Sequence, residues 1–598
     1  MDRSATLLLT LFGLTGPALV AQNFAELNIN DVRARFHSNG LIGPDLSTGG
    51  HAFFVPAEAN TSPLFSSGLW LGGLSEDGSL KLAAHLFGNP GESDFFPGPL
   101  TTTGDGSITP EVSAAYDQVW TIQQSDVVAH RTFTLCQGDP DCIEAAFPDG
   151  YTIPASFLSW PAEGNVEAGY AAYLAPFLDW DGDGTYDPSS GDHPCVLGDQ
   201  ALYAIFNDKL GAHEQSHGFP IGLEVHMMPF AYSGIPALEQ TVFVHYQVIN
   251  RGSQTLENFH IGHFADLEVG CNADDVVGTD VGRNMVYAAN GDDNDQDCAG
   301  DTGYGTQPPA FGMVVLKGPL LEPDLEDNTT YPVIPSYNGH GYDDGIIDNE
   351  RHGLSSSSYF LRQSPLAQMS DPENAIQYFN YLRSIWKNNR EQSYGGTGYT
   401  EESQYTRSLY MFPGDSDPAG VGTDGVPQTS WSNSLDPANE DPRVLATMGP
   451  GTLLPGDEMS LLVAYVYARA ESGGALASVS ALQQRVDSIH TFVGTIPGML
   501  DQNMFDCSML SLGTSEITAS SIDLLLFPVP AGDRITIQSA ALRPGDVILV
   551  YDCRGALVGR YGATGTRTTV ELSGLAPGVY SVRTTGTPGQ ASARFIKE

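Results

Sequence analysis

Alternation of apolar and polar side chains in Thr241-Val-Phe-Val-His-Tyr-Gln-Val-Ile-Asn250 predicts a half-buried β-strand, because successive side chains of an extended chain point to opposite faces. An Arg251-Gly252 turn and a second strand from about Phe259 to Leu267 follow, and the two strands predict a hairpin of a β-sandwich. Strand character recurs at Leu202 to Phe206, Leu223 to Met227 and Leu461 to Ala468. From Asn23 to about Val225, short apolar and aromatic pieces such as Gly68-Leu-Trp-Leu-Gly-Gly73 and Asp94-Phe-Phe-Pro-Gly-Pro99 are broken by turn residues. Helical spacing is found within 372–387, at Ala375, Tyr378, Tyr381, Leu382 and Ile385, and again from Ala475 to His490. Long loops rich in Gly, Asp and Pro lie between about Asp274 and Asp348.

After about Thr514 the texture changes to a Ser/Thr-rich linker and then to a compact set of strands. These are Arg534 to Gln538, Val547 to Tyr551, Thr569 to Leu572, Val579 to Arg583 and Ala593 to Ile596, with turns marked by Pro544-Gly545, Arg554-Gly555 and Pro577-Gly578. The pattern predicts a mainly β protein: a multi-domain β-sandwich ectodomain with long acidic loops, and a small C-terminal Ig-like antiparallel β-sandwich. The expected divisions are a signal peptide at 1–21, ectodomain regions at 22–230 and 231–513, a linker at 514–523 and the small sandwich at 524–598.

Composition agrees with several β-rich units. The 598 residues exceed one ordinary core, 41% are hydrophobic, and 67 Gly and 39 Pro supply turns between short elements. A formal charge of -46, from 72 acidic against 26 basic residues, repels phosphate backbones and makes nucleic acid an improbable partner. The same excess calls for cations among some of the carboxylates. Arg3 followed by an apolar run from Ala5 to Val20, interrupted by Gly13, Gly16 and Pro17, reads as a signal peptide cleaved before Gln22. No later segment is long and apolar enough to be a transmembrane helix. Of seven cysteines, Cys136 and Cys142 flank a turn and suggest a local bridge, and Cys271 with Cys298 suggests a second.

Four stretches of the tail carry a family resemblance: Phe527-Pro-Val-Pro-Ala531, Val550-Tyr-Asp-Cys-Arg-Gly555, Leu572-Ser-Gly-Leu-Ala-Pro-Gly-Val-Tyr580 and Arg594-Phe-Ile-Lys597. In order and spacing, residues 524–598 resemble the C-terminal sorting domain of proteins exported by the type IX secretion system of Gram-negative bacteria. Val529 departs from the family, which commonly has Asn between the two prolines, and Cys553 is also unusual. The resemblance implies a partner, the type IX secretion machinery, and a route: signal-peptide cleavage, periplasmic transit, then delivery to the outer cell surface or the exterior. The upstream region, with Tyr394-Gly-Gly-Thr-Gly-Tyr399 and Gly449-Pro-Gly-Thr-Leu-Leu-Pro-Gly-Asp457 among its signatures, is similar to a recurrent ectodomain of such proteins that brings no reaction with it.

The strongest local motif is Asp179-Trp-Asp-Gly-Asp-Gly-Thr-Tyr-Asp187. Carboxylates at positions one, three and five with Gly at six let a tight loop aim oxygens inward, as calcium loops do. Asp179, Asp181, Asp183, the Thr185 carbonyl and Asp187 are the expected ligands, with Asp192 in place of the twelfth-position Glu, where this chain has Ser190. The alternative reading is a solvated acidic turn. Asp274, Asp275, Asp280, Asp292, Asp293, Asp295 and Asp297 form a second acidic stretch without loop spacing. His213-Glu-Gln-Ser-His217 matches a zinc-protease pattern that works only on a helix, yet Gly211, Gly218 and Pro220 surround it; Glu224 or Glu239 would be third ligands. Trp70, Tyr378, Tyr381, Trp386 and Trp431 suggest either buried core or a sugar-stacking platform. The expected function is therefore a calcium-stabilised, non-catalytic binding, adhesion or structural module with a glycan or surface-protein ligand, and a secreted zinc hydrolase is the alternative.

Overall fold

The computed structural model describes residues 23–298, 300–329, 338–362, 364, 366–433, 441–496, 499–500, 524–529, 531–539, 542–552, 557–585 and 590–597. The expected signal peptide, the linker, Cys507 and Cys553 lie outside these residues. The chain forms two compact units: residues 1–121, 165–172 and 200–493 make the first, and 122–164, 173–199 and 494–598 the second.

The first unit is built from β1 (Ser66–Ser75), β2 (Leu80–Ala84), β3 (Gln200–Asn207), β4 (Leu223–Ala231), β5 (Thr241–Asn250), β6 (Leu256–Asp266), β7 (Asp275–Asp280), β8 (Met285–Asn290), β9 (Ala310–Lys317), β10 (Ser356–Leu361), β11 (Pro442–Leu453) and β12 (Glu458–Ala468). One sheet runs β7-β8-β9-β12-β5-β4-β3, the other β10-β11-β6-β1-β2, and every one of these pairings is antiparallel. Val242, Val244, Tyr246 and Val248 alternate along β5 and enter the shared core, where Tyr246 meets His263 of β6. The other face of β5 presents Phe243, stacked on Phe230, to the aromatic cluster of Tyr232 and Phe492 at the helix Gly474–Gly494. The second sheet is covered outside by the helix Ala375–Leu382, and Gly72 and Gly262 permit that approach: a Cβ on either would meet Leu382 at 3.2 and 2.4 Å.

Both helices predicted from spacing are present, with bounds Ala375–Leu382 and Gly474–Gly494. The expected hairpin is a correction. β5 and β6 belong to different sheets, so Arg251-Gly252 carries the chain across the sandwich. Gly252 suits that crossing, since a Cβ there would meet the Ile221 carbonyl oxygen at 2.6 Å. The division at 230/231 also differs: residues 230 and 231 both lie in β4, and Phe230 pairs with Phe243 in β5.

In the second unit, the helices Gln124–Cys136 and Pro140–Ala146 fall in a region that the sequence assigned to strands and turns. Their inward residues include His130, Thr134, Cys136 and Cys142, which weakens the apolar period. The Cys136–Cys142 bridge joins them as expected, and Cys271–Cys298 closes the second predicted loop in the first unit. The tail contains β13 (Leu525–Phe527), β14 (Arg534–Gln538), β15 (Val547–Asp552), β16 (Leu557–Gly562), β17 (Arg567–Glu571), β18 (Gly578–Thr585) and β19 (Gln590–Lys597). They form two antiparallel sheets, β13-β14-β17 and β16-β15-β18-β19, over a separate core that includes Ile535, Ile548, Val582 and Phe595.

Candidate functional site

Two short strands hold the predicted cation loop. Phe177–Leu178 pairs with His193–Pro194, in register Leu178 to His193, so Asp179 leaves one strand where Asp192 enters the other. Between them, Gly182 and Gly184 take φ values of 76° and 80°, a conformation that favours glycine. Asp179 Oδ1 accepts from the Gly182 N–H at 2.8 Å and its Oδ2 from the Gly184 N–H at 2.9 Å. Asp192 is buried and accepts from the Trp180 and Asp187 N–H groups at 2.7 and 2.8 Å. Asp179, Asp181 and Asp192 each bring a carboxylate oxygen within 4.8 Å of the other two. Burial raises the Asp192 pKa above its ordinary value, and the charges of Asp179 and Asp181 push it the same way.

Three of the six expected ligands therefore converge. Asp183 and Asp187 lie outside the trio, although, like its members, they accept local N–H bonds: Asp181 Oδ1 accepts from the Asp183 N–H at 3.2 Å, Asp183 Oδ1 from the Thr185 N–H at 2.7 Å, and Asp187 caps the short 3-10 turn Pro188–Ser190 through the Ser189 N–H at 2.8 Å. That bond lowers the Asp187 pKa. Thr185 is exposed and lies outside the trio.

The His213–His217 segment is a turn, as its glycines imply. His213 is buried with Nδ1 2.6 Å from the Leu82 carbonyl and Nε2 2.7 Å from the Asp208 carbonyl, so neither ring nitrogen is directed at a metal. His217 has φ 56° and is exposed. Glu224, a considered third ligand, is buried and accepts from the Leu100 N–H at 2.6 Å, Arg251 Nη2 at 2.8 Å and His226 Nε2 at 3.0 Å. Burial alone would raise its pKa, but His226 and Arg251 overcome this and hold it at about 2. Glu239 accepts from the Gly234 N–H.

In the second acidic stretch, Asp275, Asp280, Asp292, Asp293, Asp295 and Asp297 each accept a backbone N–H, from Val269, Arg283, Asn294, Ala475, Cys271 and Gly303 respectively. Each carboxylate is thus engaged separately, although Asp275 Oδ1 is buried without a hydrogen-bond partner. The five aromatic residues considered as a sugar platform are all buried in the sandwich core. An apolar cavity of about 570 Å³ opens beside Leu41, Leu46, Leu86, Phe95 and Phe96, with Asp117 at its wall already accepting from Ser38 Oγ and the Asn23 N–H.

Among the described residues, one other group can place three acidic oxygens together: Asp266, Glu268 and Asp441. Sequence reading missed it because Asp441 is remote in the chain. The local signal was Asp266-Leu-Glu268, two carboxylates at the same-face spacing of an extended strand.

Residues 525–598 match the family model described as a secretion system C-terminal sorting domain. No curated protein matches the chain. Among solved structures, PorZ, a surface component of the type IX secretion system of Porphyromonas gingivalis, is 22% identical over 12% of this chain and 11% of its own, with a TM-score of 0.11. A protein with an immunoglobulin-like β-sandwich fold from Bacteroides vulgatus is 22% identical over 12% of this chain and 83% of its own, also at 0.11. A polysaccharide lyase is 8% identical over 62% of this chain and 34% of its own, at 0.16. The chain thus spans about a tenth of the length of PorZ. Among the described residues, no helix is long and apolar enough to cross a membrane.

Proposed function

We propose that this protein is a cargo of the type IX secretion system, carried to the cell surface or exterior by residues 525–598, with a non-catalytic, calcium-stabilised ectodomain that serves binding, adhesion or structure. The single observation that carries the export reading is the sorting-domain match over 525–598. Its physical support is a tail with its own apolar core and two complete sheets, a unit that machinery can grip whatever the cargo upstream. Removing residues 524–598 is expected to leave the ectodomain in the periplasm. Normal surface delivery of the truncated chain would refute the reading.

The calcium part rests on the convergence of Asp179, Asp181 and Asp192, whose mutual repulsion a hard, oxygen-seeking cation relieves. The exposed Asp181 is the member whose neutralisation disturbs the loop least. Asp181→Asn should reduce the rise in melting temperature that millimolar calcium gives the parent protein, since a ligand of the folded state stabilises it. An unchanged calcium response in that variant would refute the loop site. The zinc-hydrolase alternative draws no comparable support, because His213 spends both ring nitrogens on carbonyl oxygens.

A further inference from the structure

The antiparallel register of β6 and β11 pairs Ala265 with Val444, which sets the end of one strand, at Asp266, beside the start of the other, where Asp441 and Arg443 lie. Glu268 follows two residues on, fixed by its own N–H to the Pro63 carbonyl at 3.1 Å. The three acidic side chains are 1%, 7% and 16% exposed, and their oxygens lie within 4.8 Å of one another.

Their neutralisation is incomplete. Arg443 supplies the nearest guanidinium, with Nη2 3.0 Å from Asp441 Oδ2 and Nε 3.4 Å from Asp266 Oδ1, the latter without hydrogen-bond geometry. Neither Asp266 oxygen accepts a hydrogen bond, although the residue is buried. Arg362 stands 3.9 Å from Asp441 but is mostly exposed, so water screens it. Glu268 accepts from Asn272 Nδ2 at 3.3 Å, and His51 Nε2, 3.5 Å from it, sits closer to Asp301 Oδ1 at 3.1 Å. Asp371 adds a further negative charge that acts on Asp266. One buried guanidinium thus faces three crowded carboxylates with Asp371 beyond them, too little positive charge to neutralise the group. A carboxylate buried with neither oxygen hydrogen-bonded is expensive unless an ion or proton joins it.

We propose that Asp266, Glu268 and Asp441 form a second, interior site for a hard divalent cation such as calcium, whose donors are carboxylate oxygens. A divalent ion would relieve that deficit, and hard cations take oxygen ligands where zinc prefers nitrogen and sulfur. The site ties β6 to β11 at the sandwich edge, and it is independent of the Asp179 loop.

The test is equilibrium dialysis of calcium against the full chain, after chelation. Glu268→Gln with Asp441→Asn should lose one bound calcium per chain, while Asp179→Asn with Asp181→Asn keeps that ion. An unchanged count in the first variant overturns the interior site and leaves the loop untouched. An unchanged count in the second refutes only the loop. Should the first variant fail to fold, terbium soaked into crystals of the unaltered protein should give an anomalous peak between Asp266, Glu268 and Asp441. No peak there at saturating terbium overturns the proposal.

Discussion

Beneath the tail sheets lies an apolar core that includes Ile535, Ile537, Ile548, Val550, Val570 and Phe595, whereas the ectodomain sandwich encloses charge as well as hydrocarbon, with Glu224, Asp266 and Glu268 all buried. Hydrophobic burial needs no particular ion, so the tail can fold behind different cargoes in different surroundings. The ectodomain depends on each buried charge finding its partner, and one missing partner costs far more than a surface ion pair does. The contrast is between a core of hydrocarbon and one that also encloses charged groups.

The largest effect expected from that contrast is at Glu224. Glu224→Gln leaves Arg251 without its countercharge and should destabilise the ectodomain by about 3 to 5 kcal/mol in urea unfolding, with the tail transition unmoved. A loss below about 1 kcal/mol would put this pair in the class of weak surface bridges. In the tail, Ile548→Ala should cost about 2 to 5 kcal/mol by opening a cavity, lower only the tail transition and reduce export in proportion to the unfolded fraction. Calcium at about a hundred times its dissociation constant should stabilise the ectodomain by about 2.7 kcal/mol per site, and chelator should remove this without shifting the tail. The pH dependence sharpens the same comparison. Because Glu224 is held at about 2 in the fold against an ordinary 4.5, its contribution is complete above 4.5 and lost as pH falls through about 2. The stability gap between the parent and Glu224→Gln should therefore close on acidification, and a constant gap would contradict the assigned carboxylate.

Much of this fold is legible in the sequence wherever one face of an element is apolar. Thr241–Asn250 is a strand over its full predicted length, though buried on both faces where half-burial was expected because its second face also packs, through Phe243, against Phe230 and Tyr232, and Ala475 to His490 is helix. The helix Gln124–Cys136 escaped because its inward positions include His130 and Thr134, which periodicity counts as polar. The passage from β5 to β6 looked like a hairpin because a short turn between alternating strands reads the same whether the chain folds back or crosses to another sheet. At the candidate sites, Asp179, Asp181 and Asp192, all expected from spacing along the chain, lie near one another. Asp183 and Asp187, also expected from spacing, lie outside that trio, with oxygens accepting from the Thr185 and Ser189 N–H groups. The Asp266 cluster needed the β6–β11 register, which no local window contains.

Export by the tail can be separated from every property of the ectodomain by fusing residues 524–598 to a fluorescent reporter that carries a signal peptide, in a host with type IX machinery. Fluorescence at the cell surface or in the medium, lost when Ile548→Ala unfolds the tail, is the predicted result. A reporter retained in the periplasm with the tail intact and folded would contradict it.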